Sequence, residues 1–332
     1  MRILIVLPGA LGDVIRGLPL AGRIRSSHRL ATIGWVVEPL SAPLLEGHAW
    51  LDRVHRFERA RGLAGYLAVT RDVRRAGYDV ALDLGRSAKS AILVAASGAR
   101  RRIGFARTDA REGSWLVATE HVAPQGVACS KLDQFLAFGE RLGVEVGPIA
   151  FGLAVGAEEA AGAAALLGDV RAPLVAACVG SSCPSRHWWP ERTAAVLDEL
   201  HARVGATGVI LGAPADEPFA ATVVARMRSP VRNLAGRTTV RELMAILART
   251  RLAFGPDSGA LHLAAALGIP VVSLWGATSV LRSAPVGSER WTVSGRTPCS
   301  PCFLKHCPIG RLCMQTIDVA QVVTLAEQAL AA

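Results

Sequence analysis

Lysine is almost missing from this 332-residue chain: only Lys89, Lys131 and Lys305 occur. Aromatic side chains are also few, at 5%. The basic residues are not interleaved with aromatics and no zinc-finger or RNA-binding signature occurs, so nucleic acid is not an expected partner. No Asp-x-Asp pair is present to hold a divalent cation, and the first Gly-rich loop is neither Gly-x-Gly-x-x-Gly nor a P-loop. The longest stretch without Asp, Glu, Lys or Arg, 258–281, is broken by Gly268 and Pro270. It reads as a helix plus a strand rather than a membrane span. The apolar start is interrupted by Asp13 and Arg16 and lacks a convincing cleavage site, which predicts a cytoplasmic protein.

Apolar residues are abundant, at 51%, and the length suits two domains. The formal charge is +10, carried mostly by arginine. Residues 1–150 hold 21 Lys and Arg against 14 Asp and Glu, and residues 151–332 hold 16 against 13. Arg forks suit phosphate and carboxylate, so an acidic partner is expected for the N-terminal half. A solvated Arg-rich surface is the plain alternative.

The pattern is a repeated βα alternation. Strand 2–7 feeds Pro-Gly-Ala-Leu-Gly-Asp and a helix over 14–25. Strands at 31–38, 51–57, 78–84 and 101–105 alternate with helices at 65–77 and 86–97. Residues 106–130 read as an irregular active-site loop, 131–142 as a helix and 143–155 as a linker. A second alternation follows, with strands at 174–179 and 208–211 and helices at 157–167, 193–204, 217–227 and 240–248. The expected fold is therefore α/β, with two Rossmann-like doubly wound parallel sheets and a cleft between them. The predicted domains are 1–150 and 151–316, with an amphipathic tail helix, 317–332, that could pack back on the first domain.

The stretch 255–276 organises the second half: strand, polar loop Pro256-Asp257-Ser258-Gly259, small-residue helix, strand. Ser258 is placed to cap that helix, and the free N–H groups at its start suit an anion. His262 lies one turn in. An ordinary βαβ crossover with an incidental Asp and His is the competing reading. Asp13, the only carboxylate of the first Gly-rich loop, is either a helix cap or a base.

Three segments resemble the ADP-heptose:lipopolysaccharide heptosyltransferase family, inverting glycosyltransferases of the two-Rossmann GT-B fold. They are 1–19 (Gly-Ala-Leu-Gly-Asp-Val-Ile-Arg-Gly-Leu-Pro within it), Asn233-Leu-Ala-Gly followed by 256–270, and Trp189-Pro-Glu after Ser181-Ser182. The resemblance implies heptose transfer from ADP-heptose to an acidic Kdo-containing lipid A core at the inner membrane surface, with no metal required. It implies Asp13 as base, with Gly12 beside it. It places Ser181, Ser182, Gly212, Asp257, Ser258, Gly259 and His262 on the donor. The family's phosphate-binding Lys is absent; Arg186 or His187 takes its slot, and Arg186 is preferred as the permanent charge. The acid expected on the donor ribose is replaced by Arg241, leaving Glu242 next door. Gly12, Arg86, Lys89 and Arg102 are the acceptor candidates. A different nucleotide sugar, a 2-epimerase of the same architecture and a non-catalytic relative are the rival readings. Finally, Cys299, Cys302, Cys307 and Cys313 cluster closely enough to suggest structural zinc, with reduced thiols as the alternative.

Overall fold

A computed structural model describes residues 1–126, 128–170 and 173–332. The chain forms two compact units, Met1–Leu153 and Ala154–Ala332. The first carries strands β1 (Arg2–Val6), β2 (Thr32–Val37), β3 (Arg53–Arg56), β4 (Val80–Asp83), β5 (Arg101–Gly104) and β6 (Glu120–His121). They lie in the order β3-β2-β1-β4-β5-β6, all parallel. The second carries β7 (Leu174–Cys178), β8 (Thr207–Leu211), β9 (Val231–Asn233), β10 (Leu252–Pro256), β11 (Val271–Trp275) and β12 (Thr292–Ser294). Their order, β12-β11-β10-β7-β8-β9, is again wholly parallel. The expected α/β class with two doubly wound sheets is what the chain adopts.

The central strands explain why. Ile3 and Ile5 of β1 join one core with Leu18, Ile33 and Trp35. The alternate Leu4 and Val6 join another with Val36, Phe57 and Tyr78. A parallel strand covered on both faces has no polar side, hence the unbroken Ile-Leu-Ile-Val run. Fully burying each such side chain contributes about 1.5–3 kcal/mol. In β2, Gly34 leaves room for Tyr78: a Cβ there would lie 1.8 Å from the phenol oxygen. That oxygen bonds the buried His55 ring at 2.7 Å, and burial pushes the phenol up to about 12.

In the second unit, Gly255 of β10 has φ +149°, and a Cβ on it would meet the Cys178 carbonyl oxygen at 2.2 Å. Glycine therefore permits the close approach of β10 to β7. The C-terminal helix, Val319–Ala331, buries Val322, Val323, Ala326 and Ala329 in the core of its own unit.

Several boundaries differ from the sequence expectation. The helix over 131–142 is an α-helix, Lys131–Leu136, that tightens into a 3-10 segment, Ala137–Leu142. The irregular 106–130 region contains β6, paired to β5. The edge strands β9 and β12 are short and partly polar, Val-Arg-Asn and Thr-Val-Ser, and are defined by their neighbours rather than by their own pattern. Ser258 sits at the N-cap of the helix Gly259–Ala266, but its side chain makes no cap bond.

Candidate active site

In the N-terminal unit the loop after β1 leads directly into the helix Leu11–Ser27, whose N-cap is Ala10. Asp13 lies in the first turn, where a carboxylate is favoured by the helix dipole. It is not the N-cap residue, a place Ala10 holds. Its Oδ1 accepts from Arg16 Nη2 at 2.6 Å, and Lys131 Nζ donates to Oδ1 and Oδ2 at 2.8 and 2.9 Å. The Asp13 side chain is 21% exposed, and those of Arg16 and Lys131 are 7% and 25% exposed. A carboxylate between two cations, yet open to solvent on one side, is placed to accept a proton from an incoming hydroxyl. Gly12, immediately before it, is buried.

The other basic candidates of this unit are engaged differently. Arg86, with φ +59°, donates to Gln134 Oε1 at 2.6 Å and to the Asp109 carbonyl, and lies over the Phe105 ring. It ties the Lys131–Leu136 helix to the loop after β5. Its turn is set by Asp83 at the end of β4, whose Oδ1 accepts from the N–H groups of Gly85 and Arg86. Burial raises the Asp83 carboxyl to about 6, partly offset by Ser90 and those two N–H groups. Arg102 donates to the carbonyls of Val117 and Ala99. Lys89 is exposed on the helix Ala88–Ala96.

In the C-terminal unit, the loops after β7, β10 and β11 converge on Asp257. This carboxylate is 8% exposed. Its Oδ2 meets Arg186 Nη1 at 3.1 Å and accepts from the Thr278 hydroxyl at 3.0 Å; its Oδ1 lies 3.6 Å from His262 Nε2. Its backbone carbonyl accepts from Ser181 Oγ at 3.1 Å. Asp257 thus gathers the loops around the start of the helix Gly259–Ala266. At that start, Ser258 Oγ and, close by, Arg186 Nε are buried with no hydrogen-bond partner. His187, the alternative to Arg186, turns its ring back to the Ser181 carbonyl at 3.1 Å.

Ser182 is exposed beside this cluster. Gly212 follows β8 and packs on Asp216, so close that a Cβ would lie 2.9 Å from Asp216 Cβ. Glu242 closes a capping box, its Oε2 accepting from Thr239 N at 2.7 Å while Thr239 Oγ1 accepts from Glu242 N at 3.2 Å. Arg241 pairs with Glu159.

The Cys-rich segment lies against the same loops. Ser185 N donates to the Lys305 carbonyl at 3.1 Å, and Ser185 Oγ to the Leu304 carbonyl at 2.6 Å. Arg311 donates to the His187 carbonyl at 2.8 Å and lies over the Trp189 ring at 4.6 Å. Pro190 occupies the first turn of the following helix, where its missing N–H costs nothing. All seven cysteines are free thiols. Among the described residues no three His, Cys, Asp or Glu side chains are grouped to hold a metal ion. Cys299 is exposed and Cys313 buried; burial raises the Cys313 thiol, and the Cys299, Cys302 and Cys307 thiols lie near enough to add to that.

The sequence model of glycosyltransferase family 9 (heptosyltransferase) matches residues 66–312. The chain belongs to glycosyltransferase family 9. This family 9 enzyme is 25% identical over 279 residues to the lipopolysaccharide core heptosyltransferase OpsX of Haemophilus influenzae, covering 83% of this chain and 79% of that one. The crystal structure of a family 9 glycosyl transferase from Veillonella parvula superposes with TM-score 0.86 at 21% identity, over 99% of this chain and 97% of that one. E. coli heptosyltransferase WaaC, solved with ADP-2-deoxy-2-fluoro heptose, superposes with TM-score 0.74 at 21% identity, over 99% of both chains. The two structural likenesses support the GT-B class, and the family match with the OpsX likeness supports a glycosyltransferase activity.

Four members of its polar clusters were not foreseen: Arg16, Lys131, Thr278 and Ser185. Arg16 had a local signal, since i and i+3 share a helix face. Lys131 stood out only as one of three lysines in an Arg-rich chain. Thr278 and Ser185 carry no pattern; only the fold brings them in.

Proposed function

We propose that this family 9 glycosyltransferase moves a heptose from ADP-heptose to an acidic sugar of a lipopolysaccharide inner core, with inversion at the anomeric carbon and without a metal ion. The observation that carries the donor half is the Arg186–Asp257–Ser258 cluster. A half-buried guanidinium, an unpartnered hydroxyl and a helix N-terminus meet at one point, and a diphosphate supplies the acceptors they lack. Ser181, Ser182, Gly212, Gly259 and His262 border this donor pocket, and Glu242 is assigned the ribose side. Arg186 is preferred to His187 because its guanidinium already points into the Asp257 loop.

In the reaction, an acceptor hydroxyl gives its proton to Asp13 as its oxygen attacks the anomeric carbon. The bond from that carbon to the diphosphate oxygen breaks, and ADP departs with the bonding electrons. Arg186 and the N–H groups at the start of Gly259–Ala266 stabilise the developing charge. Arg16 and Lys131 hold the Asp13 carboxylate in place. Gly12, Arg86, Lys89 and Arg102 form the acceptor side. The OpsX and WaaC likenesses support the choice of heptose and ADP. The decisive assay combines purified enzyme, ADP-heptose and a heptose-free core acceptor, run beside Asp13→Ala. Transfer from another nucleotide sugar alone would overturn the donor, and transfer surviving the loss of Asp13 would overturn the base.

A further inference from the structure

Gln134 is 2% exposed and lies one turn beyond Lys131 on the helix Lys131–Leu136. Both ends of its amide are engaged. Oε1 accepts from Arg86 Nη1 at 2.6 Å. Nε2 donates to the Cys129 carbonyl at 3.2 Å and to the Gly126 carbonyl at 3.4 Å. The amide therefore joins the turn after β4 to its own helix and to the segment that leads into that helix. Arg86 is itself held by the Asp109 carbonyl and the Phe105 ring. Asp109 Oδ2 accepts from Gln125 N at 2.7 Å, so the leading segment is pinned at Gln125, Gly126 and Cys129. Ser130 then caps the helix, its Oγ accepting from Asp133 N at 3.1 Å. Lys131, the residue after the cap, reaches Asp13.

Lys131 opens a helix only six residues long. A helix that short gains little from its own hydrogen bonds and takes its place from what packs around it. Leu or Met could fill the Gln134 position by packing alone. A buried amide is tolerated only when its groups are bonded, and what it adds over an apolar side chain is direction. We propose that Gln134 is a positioning residue for transfer: by fixing the start of this helix it sets where the Lys131 ammonium stands, and through that ammonium the aim of the Asp13 carboxylate. Buried as it is, Gln134 acts through Lys131 rather than on a substrate. The role rests on the reading of Asp13 as the base.

The test is a double-mutant cycle on the full chain. Wild type, Q134M, K131M and K131M/Q134M are compared by steady-state kinetics with ADP-heptose and a heptose-free core acceptor, beside Asp13→Ala. Q134M loses kcat on the order of tenfold, with both Michaelis constants within about twofold of wild type and ADP affinity unchanged by calorimetry. In the K131M background the same substitution costs less than about twofold, because the ammonium it places is already gone. Q134E keeps an oxygen for Arg86 but loses both donors, and its kcat falls between those of wild type and Q134M. It takes the place of Q134M in the cycle if the thermal midpoint of Q134M drops. Wild-type kcat in Q134M, losses that multiply in the double variant, or a defect confined to the acceptor Michaelis constant would each overturn the proposal. Transfer surviving in Asp13→Ala would overturn the base, whereas multiplying losses with Asp13→Ala inactive would overturn the positioning role alone.

Discussion

The ammonium group of Lys131 spans both carboxylate oxygens of Asp13, at 2.8 and 2.9 Å, across 118 residues of sequence. The carboxylate proposed as the base is thereby held by a second helix as well as by Arg16 of its own. Replacing Lys131 with Met removes one cation from the carboxylate and leaves Arg16 bonded to it. We predict that kcat falls on the order of tenfold or more with little change in the Michaelis constant for the donor, and that Lys131→Arg recovers part of the loss. Asp13→Ala should cost roughly 10²- to 10⁴-fold in kcat. Steady-state kinetics with donor and acceptor varied separately distinguish the two effects; a K131M defect confined to donor affinity would refute the positioning role.

For Arg186, the prediction is a loss of ADP affinity. A charge-assisted bond to phosphate contributes about 1.5–3 kcal/mol, so Arg186→Gln should weaken ADP binding roughly 10- to 100-fold by calorimetry. His187→Gln should do far less, because that ring bonds the Ser181 carbonyl. The reverse ranking would transfer the phosphate role to His187.

Arg311 braces the segment that carries Arg186. Its guanidinium joins the His187 carbonyl to the Trp189 face. Arg311→Met should therefore raise the donor Michaelis constant several-fold while leaving acceptor affinity alone. An equal rise for both substrates would point to general destabilisation instead.

Asp83 supplies a stability prediction with a sign. Its folded-state carboxyl is raised from 3.8 to about 6 by burial. The folded chain therefore holds that proton more tightly than the unfolded chain. The resulting stabilisation is complete below about 3.8 and disappears as pH rises through about 6, a total of roughly 3 kcal/mol. Asp83→Asn removes this dependence. Relative to wild type, the variant should gain unfolding free energy between pH 4 and 7 in urea titrations, on the order of that amount. A constant difference across this range would contradict it.

Gly255→Ala should destabilise the C-terminal unit by about 2–4 kcal/mol, since a Cβ would collide with the Cys178 carbonyl at a positive φ. Thermal unfolding measures it directly. A neutral substitution would mean that β10 and β7 can separate at little cost.

The sequence revealed the sheets' central strands because burial on two faces writes a continuous apolar run, as in Ile3-Leu4-Ile5-Val6 and Val175-Ala176-Ala177. It did not reveal β6, β9 or β12, whose residues are strands only because a neighbour offers backbone partners. Loop residues at strand ends were legible by position: Asp13 and Asp257 both follow a buried strand into a helix start. Their partners were not, since Lys131 and Thr278 arrive from elsewhere in the chain and leave no periodic trace. Ser258 illustrates the limit of local rules. It has the residue type and place of a helix cap, yet its hydroxyl is left without any partner.

The Arg186–Asp257 pair also sets an entry threshold. A cation that already has a counter-charge gives little to a weak monoanion, which must compete with Asp257 for the same guanidinium. A nucleoside diphosphate brings enough charge and enough oxygens to share Arg186 while also occupying Ser258 and the helix start. On the proposed donor role, discrimination against small monoanions is the expected consequence, and selectivity for diphosphate begins before any sugar is recognised.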